Sequence, residues 1–391
     1  MSNESGGNEV LEAVEALRPM LAAGAIEGER MRRVPEVSIQ ALEDAGVFRM
    51  STPRAFGGLE APLLQQVKVL AEIARSDVST SWVASLHSVG TYFVAHYPDR
   101  AQEEVFTTPD TRVASIFSPG GTLTPVDGGY LLSGRWPFNT GCRSAQWDTL
   151  AALVDDGDGS PPRLLLALLP MEELTIEDDW QPSGLAATGS NAVRAERVFV
   201  AEHRTLPLME ALRGLNLSAA NAATPLYRAA FFPFVLVASM GTPVGAALGA
   251  MDVFLERLPA RKITYTQQLQ AEAQVTHVTL ARSAAAAKAA ALLRDDLARR
   301  VMGAAESGRE LTTLERAEIK AESSEVVRLS REAVRMLFEI STASSIQQSI
   351  PIQRFARDIE ALSLHGALAF NTNFEVHGRM LAGLEPGTPF L

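Results

Sequence analysis

The chain has 391 residues, 47% of them hydrophobic, and a formal net charge of −11. That length and apolar content allow two or three packed layers around large cores, while an acidic chain with no face concentrating Lys and Arg is not a nucleic-acid binder. A single cysteine, Cys142, leaves neither a disulfide framework nor a cysteine-based zinc site, which fits a reducing cytoplasm.

The polar, acidic start (Ser2, Asn3, Glu4, Glu9) lacks the basic and apolar segments of a secretory leader. From Leu11 to about Tyr97 the pattern predicts helices: Leu11, Val14, Leu17 and Leu21 recur at helical spacing, and Val37, Ala41, Leu42 and Ala45 do so again. Arg30 to Arg33 form a short basic cluster with acids close by, as a solvated helix face does. Gly46 and the stretch from Pro53 to Gly58 punctuate the joins. Pro62 opens a further helix, and Asp77-Val78-Ser79 offers an N-cap for one carrying Trp82, Leu86, His87 and Tyr92.

Between about Thr111 and Leu206 short β-rich runs alternate with turn residues, which predicts a small β-barrel or sandwich. Asp155-Asp156-Gly157-Asp158-Gly159 lacks the spaced acids and terminal Glu of a calcium loop and is expected to be a hairpin tip. Residues 229–251 carry no charge and are long enough to cross a bilayer. Pro233, Pro243 and the small residues Gly241, Gly245 and Gly249 favour a helix buried in a bundle or subunit interface instead. Long helices are predicted over 243–258, 267–301, 311–340 and 351–381. The expected organisation is a helical domain (1–110), a central β-barrel (111–222) and a C-terminal helical bundle (223–391).

This order resembles the acyl-CoA dehydrogenase fold, and local motifs resemble it too: Pro53-Arg54-Ala55-Phe56-Gly57-Gly58, the hairpin from Gly128 to Trp136, and Arg357-Asp358. Two departures point to one branch. After Arg357-Asp358, where dehydrogenases usually carry a Glu that abstracts the substrate's α-proton, stands Leu364-His365-Gly366-Ala367; the Glu position is Gly366, and glycine cannot act as a base. Trp136-Pro137-Phe138-Asn139-Thr140-Gly141 with Ala145-Gln146-Trp147, and the loop Gly184 to Ser190, resemble flavin-dependent hydroxylases of this fold. That branch includes 4-hydroxyphenylacetate 3-hydroxylases, steroid-degrading phenol hydroxylases, dibenzothiophene monooxygenase and indole oxidisers.

The resemblance implies the oxygenase half of a two-component flavin monooxygenase. Reduced FAD or FMN arrives from a separate reductase, and O2 adds at C4a to give a hydroperoxide that oxygenates a small, aromatic substrate. It further implies that Trp136 and Phe138 wall the pocket, that Thr140 stands beside the flavin N5, and that Thr188, Gly189, Ser190 and Arg261 hold the cofactor. His365 is the expected acid/base, and His87 and Tyr92 are candidates for touching substrate. Cys142 has no positioned base and reads as a packed residue. His96, His203, His277 and His377 carry no positional support, and the histidines lack metal-site spacing, so no metal is expected. No strand is followed by Gly-x-Gly-x-x-Gly, so no nicotinamide site is expected. The charge-free 229–251 segment and the Ala-rich helix after Gln267 suggest a homotetramer, with no membrane or nucleic-acid partner. Three alternatives stay open: an FAD-dependent acyl-CoA desaturase with a relocated base, an amino-sugar N-oxygenase of the same fold, and a flavin-free scaffold, which would gain nothing from the Trp-x-Phe-x-Thr-Gly motif.

Overall fold

The computed structural model describes residues 3–154 and 162–391, so the expected hairpin tip at 155–159 lies outside the described residues. The helices α1 (Asn3–Ala16), α2 (Arg18–Met31), α3 (Glu36–Asp44), α4 (Leu63–Ala74), α5 (Val78–Val94) and α6 (Asp99–Val105) come first. Pro35, Pro62 and Pro98 stand at the caps of α3, α4 and α6, where a missing N–H leaves no helix bond unmade. α5 begins on Asp77, whose carboxyl accepts from Thr80 N at 3.0 Å. It is buried along nearly its whole length.

The central module is one seven-stranded sheet of β1 (Val113–Val126), β2 (Gly129–Asn139), β3 (Trp147–Val154), β4 (Arg163–Pro170), β5 (Thr175–Ile176), β6 (Asn191–Ala201) and β7 (Thr205–Pro207). Their order is β5-β6-β2-β1-β3-β4-β7; β1 and β3 run parallel and every other neighbouring pair antiparallel. Alternation sorts the side chains. Leu150, Ala152 and Val154 of β3 and Leu165, Ala167 and Leu169 of β4 pack with Leu132, Trp136, Val193 and Ala195 in a core made only of strand and turn residues. A sheet whose side chains bury one another in this way wraps its own core, as a barrel does, although the outer strands β5 and β7 are not bonded to each other. From the opposite face, Ala151, Leu166 and Leu168 join the helical core.

The chain returns to helix in α7 (Leu208–Ala211), α8 (Pro225–Arg228), α9 (Phe231–Ala238), α10 (Gly241–Arg257), α11 (Gln274–Glu306), α12 (Thr313–Glu339), α13 (Ile352–Ser363) and α14 (Phe370–Leu381). The apolar stretch becomes α9 and α10, and its most apolar window is 89% buried inside this one chain. Pro243 falls in the first turn of α10, where it breaks nothing. Gly241, Gly245 and Gly249 lie against the backbone of Val67, Ala71 and Arg75, so α10 and α4 touch main chain to main chain with no room for a Cβ. The stretch is therefore satisfied within the subunit and does not by itself call for a partner.

Two long helices depart from expectation. α11 starts at Gln274, later than predicted, because a 3-10 turn (Gln270–Glu272) and a Lys262–Leu269 bridge hold the preceding loop. The helix expected over 351–381 is broken at 364–369. Leu364 N and His365 N make i→i−3 bonds to Ala361 O and Leu362 O, a 3-10 turn (Gly366–Leu368) follows, and Asn373 Nδ2 donates to the freed Ala367 O at 2.9 Å. α12 opens on a capping box formed by Thr312 and Glu315.

Candidate active-site cleft

A cleft of about 1790 Å³ separates the sheet and the loop before β6 from the helices. Its α5 wall is the stripe Trp82, Leu86, Val89 and Phe93, successive residues on one helical face. His87 and Tyr92 each sit one residue off that stripe, about 100° around the helix, and both face protein instead. His87 donates from Nδ1 to Val113 O at 3.2 Å and accepts at Nε2 from Ser144 Oγ at 3.0 Å; desolvation lowers its pKa to about 3. Tyr92 donates to Ala229 O and stacks on Phe234 at 3.8 Å. Neither lines the cleft, which corrects the expectation that they touch substrate; they fasten α5 to β1 and to the loop before α9.

Trp136 and Phe138 part company for a related reason. Two residues apart on a regular strand, they would share a face, but the β2–β6 register shifts between Trp136 and Asn139, and Phe138 takes φ 63°. Trp136 turns into the barrel core, fully buried against Gly120, Gly121 and Gly134, with its indole N–H on Ala151 O at 2.7 Å. It supports the cleft from behind and does not wall it. Phe138 is 69% exposed, lines the cleft, and meets Trp180 edge-on at 6.0 Å.

Thr140, Thr188 and Ser190 come together on the cleft wall. Thr188 donates to Leu185 O at 2.8 Å; Ser190 lies 2.7 Å from Thr188 and Thr140 2.8 Å from Ser190. Each hydroxyl has one proton. With the Thr188 proton committed to a carbonyl, Ser190 must donate to Thr188, and Thr140 to Ser190. Thr140 is left to offer lone pairs to the cleft. Gly189 is not part of this wall: with φ 54° it turns the chain behind it and, with Gly141, lines a separate cavity of about 210 Å³. Cys142 is buried in the barrel core instead, its thiol pushed up to about 12 by desolvation, as a packed residue would be.

The loop carrying these hydroxyls is held from α13. Asp358 Oδ1 accepts from Leu185 N at 2.6 Å, and the Arg357 guanidinium donates to Ser183 O at 2.9 Å and pairs with Glu29. Gly184 lies so close to the Arg357 carbonyl that no Cβ fits. The Arg-Asp pair therefore has a visible structural task.

His365 stands at the break between α13 and α14 and opens onto the cleft, with Trp82 edge-on at 5.3 Å. The side chain stays open to solvent, and packing around the ring lowers its pKa from the usual value, which favours the neutral form at ordinary pH. Its Nδ1 accepts from Ala367 N at 3.3 Å, which biases the proton to Nε2. Beside it, Gly366 faces open space where a dehydrogenase base would stand. Among the described residues, the carboxylates lining the cleft are Glu339 and Glu360, both at its exposed side and both within 3.8 Å of Arg335. Arg261 lies outside the cleft of its own chain, donating to Thr342 Oγ1 at 2.6 Å, so a cofactor contact from this residue within one subunit is not what the structure has.

These features fit a reduced flavin. The space exceeds the roughly 300–1,000 Å³ that one small ligand needs, flat apolar side chains line both sides, and Thr140 presents an acceptor of the kind a ring N–H requires. Comparison with known proteins agrees. The acyl-CoA dehydrogenase N-terminal domain model matches residues 11–109, and the C-terminal domain model residues 237–370. A pigment production hydroxylase of a Rhodococcus species is 33% identical, with 98% of each chain covered. The oxygenase component of an FADH2-dependent resorcinol hydroxylase of a Rhizobium species is 30% identical over 95% of this chain and 94% of that one. Among solved structures, XiaF from a Streptomyces species, in complex with FADH2 and glycerol, superposes with a TM-score of 0.93 at 30% identity, covering 100% of this chain and 98% of that one. The HsaA monooxygenase of Mycobacterium tuberculosis gives 0.92 at 30%, covering 98% and 100%. With an imidazole where a dehydrogenase has its carboxylate, and with hydroxylases for relatives, the chain belongs to the flavin-dependent monooxygenases of the acyl-CoA dehydrogenase fold, as the oxygenase component that works on reduced flavin from a separate reductase.

Proposed function

We propose that the chain hydroxylates a phenolic ring held in the cleft against the Trp82–His365 pair, with the flavin ring against Phe138 and the Thr140–Ser190–Thr188 hydroxyls. The observation that carries this reading is the imidazole of His365 opening onto the cleft beside Trp82, while both cleft carboxylates are engaged by Arg335. When bound, the reduced flavin supplies the electrons that activate O2. The protein excludes water through the α5 stripe and presents Thr140 as an acceptor. At His365, Nδ1 accepts from Ala367 N, so Nε2–H is the group that donates to a phenolate oxygen; taking a phenol's proton at Nε2 requires the other tautomer, which gives up the 3.3 Å contact from Ala367 N.

His365→Ala is the test. General acid–base groups contribute about 10²–10⁴-fold, so single-turnover hydroxylation should slow by that order, with hydrogen peroxide released instead. Raising the pH toward the phenol's own pKa should partly restore it, because a phenolate needs no base. A wild-type rate in the variant would reduce His365 to a structural residue.

Assembly into a homotetramer is part of the same proposal. Its support is not the 229–251 segment but exposed apolar side chains elsewhere: Val275, Val278 and Leu292 on α11, and Phe370, Phe374 and Leu381 on α14. Such an assembly is also the setting in which Arg261 could reach a neighbour's cofactor. Light scattering at micromolar concentration should give four subunits; a monomer would rule this out.

A further inference from the structure

Lys320 of α12 lines the cleft yet is only 6% exposed, and no carboxylate pairs with it among the described residues. An ammonium has three N–H donors. One reaches Phe390 O at 2.9 Å, and the face of Phe232 lies 4.7 Å from Nζ. Among the described residues no other acceptor is bonded to it. Against it lie the Phe232 ring and the Phe390 main chain. A buried cation without a counter-charge is costly, and burial lowers its pKa to about 8, with no charged neighbour contributing. The arginines nearest the cleft already have carboxylate partners, as Arg335 has Glu339 and Glu360. Lys320 does not.

We infer that Lys320 is the anchor for an acidic group on the substrate, so that the preferred substrate is an aromatic acid whose carboxylate binds Lys320 while its ring hydroxyl meets His365. This rests on the proposed phenol chemistry but adds a second recognition point on a different helix. The cleft has room for it: its volume is well above what one small ligand requires. The missing counter-charge is then brought by the ligand, and an uncharged analogue would leave the ammonium buried and unpaired.

The test compares 4-hydroxybenzoate with 4-hydroxybenzamide, nearly equal in shape and different in charge. Binding of each is measured by calorimetry to the full-length protein with reduced flavin under anaerobic conditions, so nothing turns over. The wild type should bind the acid at least about tenfold more tightly, the order expected for one charge-assisted hydrogen bond. Lys320→Arg should keep a preference, and Lys320→Met, similar in length and uncharged, should bind the two alike. If Lys320 merely fastens the segment around Phe390, Lys320→Met would change the melting temperature and leave the acid-to-amide ratio as in the wild type; that ratio, or a wild type indifferent to charge, would overturn the inference. Product analysis in air separates the two ideas: a charge preference that depends on Lys320, without any hydroxylated product, would keep the anchor and discard the phenol hydroxylase reading.

Discussion

Replacing Gly184 by Ala tests whether α13 positions the hydroxyl-bearing loop. The added methyl would lie 2.6 Å from the Arg357 carbonyl carbon, nearer still to its oxygen, and 3.1 Å from the Ala361 methyl, whereas ordinary contact begins at 3.4 Å. The shortfall to the carbonyl carbon is about 0.8 Å, and the obstacle is helix backbone, so the loop has to move. A shift of that size would stretch the Leu185 N to Asp358 bond from 2.6 Å to about 3.4 Å, beyond useful hydrogen-bond length. Overpacking of this kind costs about 1–3 kcal/mol. Because Thr188 takes its direction from Leu185 O, the displaced loop also loosens the hydroxyl relay, and reduced-flavin affinity should fall about tenfold for each 1.4 kcal/mol lost there. Thermal unfolding of the protein alone, and anaerobic titration with reduced flavin, read the two effects separately. Gly366→Ala is the control, since that position faces open space. If Gly184→Ala keeps both the melting temperature and the flavin affinity of the wild type, the loop is not held from α13 and the role given to Arg357 and Asp358 is wrong.

Thr140→Ala should leave substrate affinity nearly intact and raise the hydrogen peroxide released per product; one neutral hydrogen bond is worth about 1 kcal/mol, so about fivefold is expected, and unchanged leakage would remove Thr140 from the flavin end. Asp148 is fully buried in the barrel core, its Oδ1 and the Asn139 Oδ1 both lack partners, and desolvation raises its pKa to about 7. A carboxyl whose pKa is raised on folding contributes stability below its unfolded value near 3.8 and loses it as pH rises toward 7. Asp148→Asn should therefore gain in melting temperature relative to the wild type between pH 5 and pH 8, and a constant difference across that range would show that Asp148 stays ionised.

The order of helices, strands and helices was legible because periods of 3.6 and 2 are written into consecutive residues. Asp77 was legible as an N-cap; Thr140 and His365 were expected from the resemblance of the motifs around them, and both line the cleft. Other features were not. Trp136 and Phe138 seem to share a face until a register shift and a positive φ at Phe138 separate them. On α5 the chemistry of His87 and Tyr92 drew attention, whereas the 3.6-period stripe of Trp82, Leu86, Val89 and Phe93 held the better signal. The break at 364–369 is marked by the tighter bonds of Leu364 N and His365 N and by Asn373 taking up Ala367 O, contacts that no spacing in the sequence announces. Lys320 looks like any helix lysine until its burial is known.

The hydroxyl relay has a fixed sense because it ends on the carbonyl of a residue held at both its main-chain groups, Leu185 N–H by Asp358 and Leu185 C=O by Thr188. In the proposed arrangement the cofactor end of the cleft takes its polarity from Asp358 on α13, the helix that leads directly to His365. The opposite wall is built from the stripe of α5 and from α9, whose cleft side chains take no part in that relay. In the proposed arrangement, substitutions there would reshape the substrate's half of the cleft without reversing a single hydrogen bond of the Thr140–Ser190–Thr188 relay. One scaffold can in this way change what it oxygenates while leaving untouched how it handles the flavin.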